Sequence, residues 1–196
     1  MRKNLRFLTY CTFILLLWAC SKSSPTTAPI HIISLEENIP KLQEKAYEWQ
    51  PDAHLVNAII PIRINGDHVD PYLMNAYFES LSSDYESLIV RLYPDGEIES
   101  ERVSNQKPIY QVRPITQQEW QFDSQEALDR LLDEDRTRLL KRSQLNCSEL
   151  TLEYRKKTES SVIWILAIVD CGNLSAGSAV FYYLDPISGQ VDQLIR

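Results

Sequence analysis

Two stretches of the chain carry the period of an amphipathic helix, and two groups of short segments carry the shorter period of strands. Leu35, Ile39, Leu42, Ala46 and Trp49 fall on one helical face. Ser34 and Glu37 stand at capping-box spacing before them. Pro40 sits inside this run and predicts either a kink or a regular helix that starts near it. The helix is expected to end near Gln50-Pro51-Asp52, and strands follow over Leu55–Ile64, Tyr72–Ser80, Ser87–Tyr93 and Glu97–Val103. Pro94-Asp95-Gly96 marks the hairpin turn between the last two.

The same order then recurs. Asp123 or Ser124 can cap a helix whose apolar face is Ala127, Leu128, Leu131 and Leu132. Strands are expected over Glu149–Lys156, Val162–Asp170, Ser178–Leu184 and Gln190–Ile195, with Asp185-Pro186-Ile187-Ser188-Gly189 as the second hairpin turn. Helix starts at residues 34 and 124 lie 90 apart, and turn glycines at 96 and 189 lie 93 apart. The agreement predicts a tandem repeat. The expected fold class is α+β: two tandem units, each one helix packed on a three- to four-stranded antiparallel sheet. The units cover residues 34–103 and 104–196, with 109–113 an extra strand or the linker. Val162–Val169 is apolar at both parities, which predicts a central strand covered on both faces, by the helix and by the first unit, a dimer mate or a client protein.

The first 33 residues follow a different pattern. Arg2, Lys3 and Arg6 precede an apolar run from Phe7 to Ala19, and Cys20 follows. About 13 apolar residues fall short of the roughly 20 that span a bilayer, which disfavours a permanent transmembrane helix. A basic start, a short apolar stretch and a small residue before the break are the order of an export signal. Leu17-Trp18-Ala19-Cys20 resembles the bacterial lipobox, although Trp18 stands where small or aliphatic residues are usual. The resemblance implies that residues 1–19 are removed and that Cys20 carries a diacylglyceryl group. Two or more acyl chains, at about 0.8 kcal/mol per buried methylene, give stable anchoring. Residues 20–33 then form the lipidated cysteine and a small, polar, Pro-containing flexible tether. Ser21 after the cysteine, rather than Asp, leans towards an outer membrane facing the periplasm in a Gram-negative cell. In a cell without one, the protein would sit on the outer face of the cell membrane.

Charge narrows the partners. Losing the three basic residues of the signal takes Lys plus Arg from 20 to 17 against 27 Asp plus Glu, a net charge near −10. Nucleic acid is excluded as a partner, because phosphate binding needs a concentrated basic surface. Cys11 leaves with the signal and Cys20 is lipidated, so Cys147 and Cys171 remain. Pairing the adjoining strands about Glu159 puts these two opposite each other, and an exported chain meets an oxidising compartment. A disulfide is expected, with two buried thiols as the plainer reading and a metal site disfavoured by the absence of nearby histidine.

Residues 120–196 resemble PepSY and PepSY-like domains. The helix opening DSQEAL, the apolar strand with Trp164 and the ending FYYLDPISGQVDQL carry the likeness. Residues 34–103 share the layout through AYEWQPDAHL and YPDGEIES. LDEDRTRLLKR stands where the family often has a glycine pair. The resemblance implies an exported binding or accessory domain, with binding or inhibition of a protease the activity most often suggested. It brings no catalytic motif.

The residues themselves suggest little chemistry. Asp67 and Asp70, in Asn65-Gly66-Asp67-His68-Val69-Asp70, are weak candidates for a hard cation, against a plain polar hairpin loop. Ser175 lacks the nucleophile-elbow pattern. Five glycines leave little material for phosphate-cradling loops. Trp49, Trp120, Trp164, Phe181, Tyr182 and Tyr183 could line a groove, though most are expected in the core. The expectation is a non-enzymatic, lipid-anchored envelope binding or accessory protein without a cofactor, meeting a protein or peptide partner. Alternatives are a protease inhibitor or folding helper of the PepSY type, and an envelope hydrolase assembled from scattered residues.

Overall fold

The computed structural model describes residues 30–62, 72–104, 113–133, 148–154, 161–168 and 180–195. Helix α1 (Leu35–Trp49) is followed by β1 (His54–Pro61), β2 (Met74–Ser80), β3 (Ser83–Leu92) and β4 (Ile98–Ser104). A short 3₁₀ turn (Gln117–Glu119) leads to α2 (Ser124–Asp133) and to β5 (Glu149–Tyr154), β6 (Val162–Ile168), β7 (Val180–Leu184) and β8 (Val191–Ile195). The protein is α+β. Its strands form one antiparallel sheet of eight, ordered β4-β3-β2-β1-β5-β6-β7-β8. The join is the β1–β5 ladder, from Asn57 opposite Glu153 to Pro61 opposite Glu149.

Local chemistry accounts for the ends of each element. Ser34 caps α1 by accepting from the Glu37 N–H at 3.0 Å. The helix continues through Pro40, which lies on its exposed side. The ring costs one intrahelical hydrogen bond there, because Pro40 has no N–H to give the Glu36 carbonyl. Both hairpin glycines take the left-handed conformation those turns require, with φ of 87° at Gly96 and 72° at Gly189. In β1 the register shifts between Leu55 and Asn57. This irregularity keeps Leu55 on the same face as Ala58 and Ile60 despite the odd spacing.

The core lies between the helices and one face of the sheet. Leu35, Leu42 and Ala46 of α1 and Ala127, Leu128 and Leu131 of α2 share one buried cluster with Ala58, Ile60, Ala76, Phe78, Val90, Leu150, Leu152, Trp164, Leu166 and Leu184. One row of that face runs Val90, Ala76, Ala58, Leu152, Trp164, Leu184 across six strands. The small side chains of Ala76 and Ala58 stand side by side in it, on β2 and β1. Trp164 is fully buried, donates its indole N–H to the Phe122 carbonyl at 3.0 Å, and meets Trp120 edge-on at 6.1 Å between ring centres. As its sequence implies, β6 is an interior strand of the sheet buried on both faces, with Ile163 and Ala167 joining its core-facing residues.

The chain before α1 is stitched to the start of α2. Gln125 accepts from the Ile32 N–H and donates to the Ile30 carbonyl, both at 3.0 Å. Ser124, fully buried, donates to the Ile33 carbonyl at 2.7 Å and accepts from the Leu35 N–H at 3.0 Å. Asp123 accepts from the Glu36 N–H at 2.9 Å. Side chains at the start of one helix thereby satisfy first-turn donors of the other.

A second polar knot closes the β2–β3 turn. The Asp52 carboxylate accepts from the Ser80 hydroxyl at 2.6 Å and from the Ser82 N–H and hydroxyl at 3.1 Å each. The Ser80 hydroxyl holds the Asp52 carboxyl below its usual range, with the Ser82 bonds adding to the effect and partial desolvation opposing it. A depressed folded-state pKa stabilises above the unfolded value near 3.8 and is lost as pH falls through the folded one. Asp52→Asn is therefore expected to lower Tm at neutral pH. Its deficit against wild type should shrink below about pH 4 in paired thermal melts.

Candidate functional site

The side chains at alternate positions of the sheet point away from the helices and form a second face. One row crosses all eight strands: Glu99, Arg91, Asn75, Ile59, Thr151, Ile165, Tyr183 and Asp192. The adjoining row runs Glu101, Ile89, Tyr77, Asn57, Glu153 and Ile163. The first row carries Ile59 and Ile165 on either side of Thr151 near its middle, the second carries Tyr77, Asn57 and Glu153 there, and both begin on an acidic residue of β4. Arg91 bonds Glu101 at 2.6 Å, and Asn57 donates to Glu153 at 3.2 Å. The amide oxygens of Asn57 and Asn75 are buried without a hydrogen-bond partner. Phe181 and Tyr183 belong to this face and are half-buried, whereas Trp120, Trp164 and Tyr182 are core.

On the helix side, a groove of about 230 Å³ lies between α1 and the segment leading to α2, lined by Ile39, Pro40, Gln43, Leu55, Ile115, Gln117 and Trp120. It is smaller than the usual range of small-molecule sites, roughly 300–1,000 Å³. Its amides are committed elsewhere: Gln43 donates to the Ala53 carbonyl at 2.6 Å and Gln117 to the Glu36 carboxylate at 3.0 Å. The neighbouring charges are tied into structure as well. Glu119 pairs with Arg113 and receives the Thr116 N–H at 2.9 Å. Arg113 lies over the Tyr154 ring, whose hydroxyl donates to the Pro114 carbonyl at 2.8 Å.

Of the sequence-predicted site residues, Cys20, Asp67, Asp70, Cys147, Cys171 and Ser175 lie outside the described residues. Among the described residues no cluster of His, Cys, Asp and Glu could hold a metal ion, and no helix is long and apolar enough to cross a membrane. The β5–β6 register bears on the cysteine argument. Glu149 opposes Ala167 and Tyr154 opposes Val162, so the ladder is centred on residue 158 and not on Glu159. Direct opposition of Cys147 and Cys171 does not follow from this register, and the expectation that they pair rests on the expected oxidising compartment alone. The expected result is that thiol alkylation of unfolded, unreduced protein leaves both unmodified. Reduction should then expose two thiols and remove about 3.5 kcal/mol of stability in the chain-entropy model.

Sequence reasoning missed the groove and the helix-to-helix stitching. The DSQ triplet before the second apolar stripe reads as that helix's own cap, and nothing in its spacing points to a distant helix. Comparison of the chain with family models, with curated proteins and with solved structures found no match.

Proposed function

We propose that this protein is a non-enzymatic, lipid-anchored binding or accessory module of the cell envelope, built from two PepSY-like units over residues 34–103 and 104–196. The sheet order is the observation that carries the two-unit reading. Read outward from the β1–β5 join, each half runs first strand, second, third, fourth, and each is preceded by its helix. The placement rests on the basic start, the apolar run and the cysteine at position 20. Binding is favoured over catalysis because the polar groups around the groove are engaged in structural bonds, while the second sheet face offers an apolar middle and orphaned acceptors.

On this reading the lipid on Cys20 supplies membrane attachment, and the folded body meets a protein or extended peptide. Cys20→Ala is the test of attachment. The variant is expected to leave the membrane fraction, and a variant that stays membrane-bound with the wild type would overturn the anchoring.

A further inference from the structure

We propose that the second face of the sheet docks a basic amphipathic segment of a partner protein. The proposal rests on the binding-module reading and names its surface and the partner's chemistry. Ile59 on β1 and Ile165 on β6, both part-buried, stand on either side of Thr151 and give the face its apolar contacts around the β1–β5 join. Carboxylates stand on the outer strands at Glu99, Glu101 and Asp192 and on β5 beside Thr151 at Glu149 and Glu153, against one described cation of this face, Arg91. An apolar centre with acidic margins fits a segment with one greasy side flanked by Lys or Arg. A second copy of this chain would set like charges against each other, and an anionic lipid surface would be repelled in the same way.

The orphaned amides point independently to a donor. Asn75 is buried, with 7% of its surface exposed, and neither its amide oxygen nor that of Asn57 has a hydrogen-bond partner. A buried acceptor without a donor is left with its desolvation uncompensated. Lys and Arg side chains carry donors only, so they match this need. Tyr77, opposite Asn57, and Arg91, opposite Asn75, are the half-buried neighbours of the two amides. Binding is therefore expected to shift these two side chains.

The probe is an 18-residue Leu/Lys amphipathic peptide, with its Leu/Glu counterpart as comparison. Fluorescence anisotropy is read on the full chain in nonionic detergent, with empty micelles as the blank. The Leu/Lys peptide should bind and weaken with added salt, and the Leu/Glu peptide should not bind. Ile165→Lys should reduce affinity at least tenfold. Asp192→Lys, at an exposed margin, should reduce it severalfold with little risk to folding. Tyr47→Lys, exposed on α1, should leave it unchanged. Equal binding of the two peptides, no effect of the Ile165 and Asp192 variants, or an equal loss from the Tyr47 variant would overturn the proposal. So would phosphatidylglycerol vesicle binding or a sedimenting dimer that Ile165→Lys abolishes, since either gives the face to another occupant. Fractionation of Cys20→Ala reads the anchor separately, so failure of the surface and failure of the anchoring are distinguishable.

Discussion

Trp164→Ala is expected to cost about 3–5 kcal/mol, the largest loss of any single truncation in the core. Domains of this size are stable by roughly 5–15 kcal/mol, so the variant should be partly unfolded at growth temperature. Two terms add. The cavity opens in an interior strand, where Leu152 and Leu184 flank the indole on the neighbouring strands and Trp120 packs edge-on against it. The Phe122 carbonyl also loses its donor inside the core. Trp164→Phe keeps most of the volume and removes the N–H, so it should lie between wild type and Trp164→Ala. Urea denaturation measures both, with an unchanged slope showing that stability rather than compactness has moved. Because β1 and β5 join the halves in one sheet, amide exchange at Ala76 of β2 should quicken along with that around residue 164.

Ser124→Ala is expected to cost about 1–3 kcal/mol. One hydroxyl serves two backbone groups of the distant segment, the Leu35 N–H and the Ile33 carbonyl, at a position without solvent access. Alanine leaves both unsatisfied, and water cannot replace the serine without opening the packing. The loss should be local first. Hydrogen exchange at Leu35 should rise more than exchange in the sheet, because the deleted bonds hold the entry to α1 and not the ladders. An equal rise everywhere would place the damage in the global core instead.

Much of the element order was legible because it depends on local chemistry. Ser34 and the Leu35–Trp49 stripe mark α1, and the Pro-Asp-Gly and Ser-Gly turns mark two hairpins. The double-faced apolar run of β6 announced an interior strand. Legibility ended where the chain departs from strict alternation or where distant parts meet. The register shift after Leu55 broke the period of β1. The β2–β3 turn at Leu81-Ser82 was hidden because Leu81 and Tyr85 are exposed apolar residues, at 58% and 53%, around a polar turn. β3 therefore begins at Ser83, four residues earlier than its apolar pattern suggests.

The β5–β6 register came out one residue off centre because the turn sequence has no Gly or Pro to pin it. The fusion of two meanders through β1 and β5 leaves no spacing signal at all, since edge-to-edge pairing depends on which edges are left open. The candidate docking face was visible only in part. Apolar residues at both parities of β6 predicted a second cover. The acidic margins and the two asparagines come together only once the cross-strand rows are aligned.

Export of the folded body and its attachment through a lipid on Cys20 is the central proposal. Intact mass of the protein extracted from membranes tests this directly. The expected species begins at Cys20 and is heavier than the polypeptide by its acyl groups. A species that still carries Met1, or one that begins at Cys20 or later without added lipid mass, would contradict it.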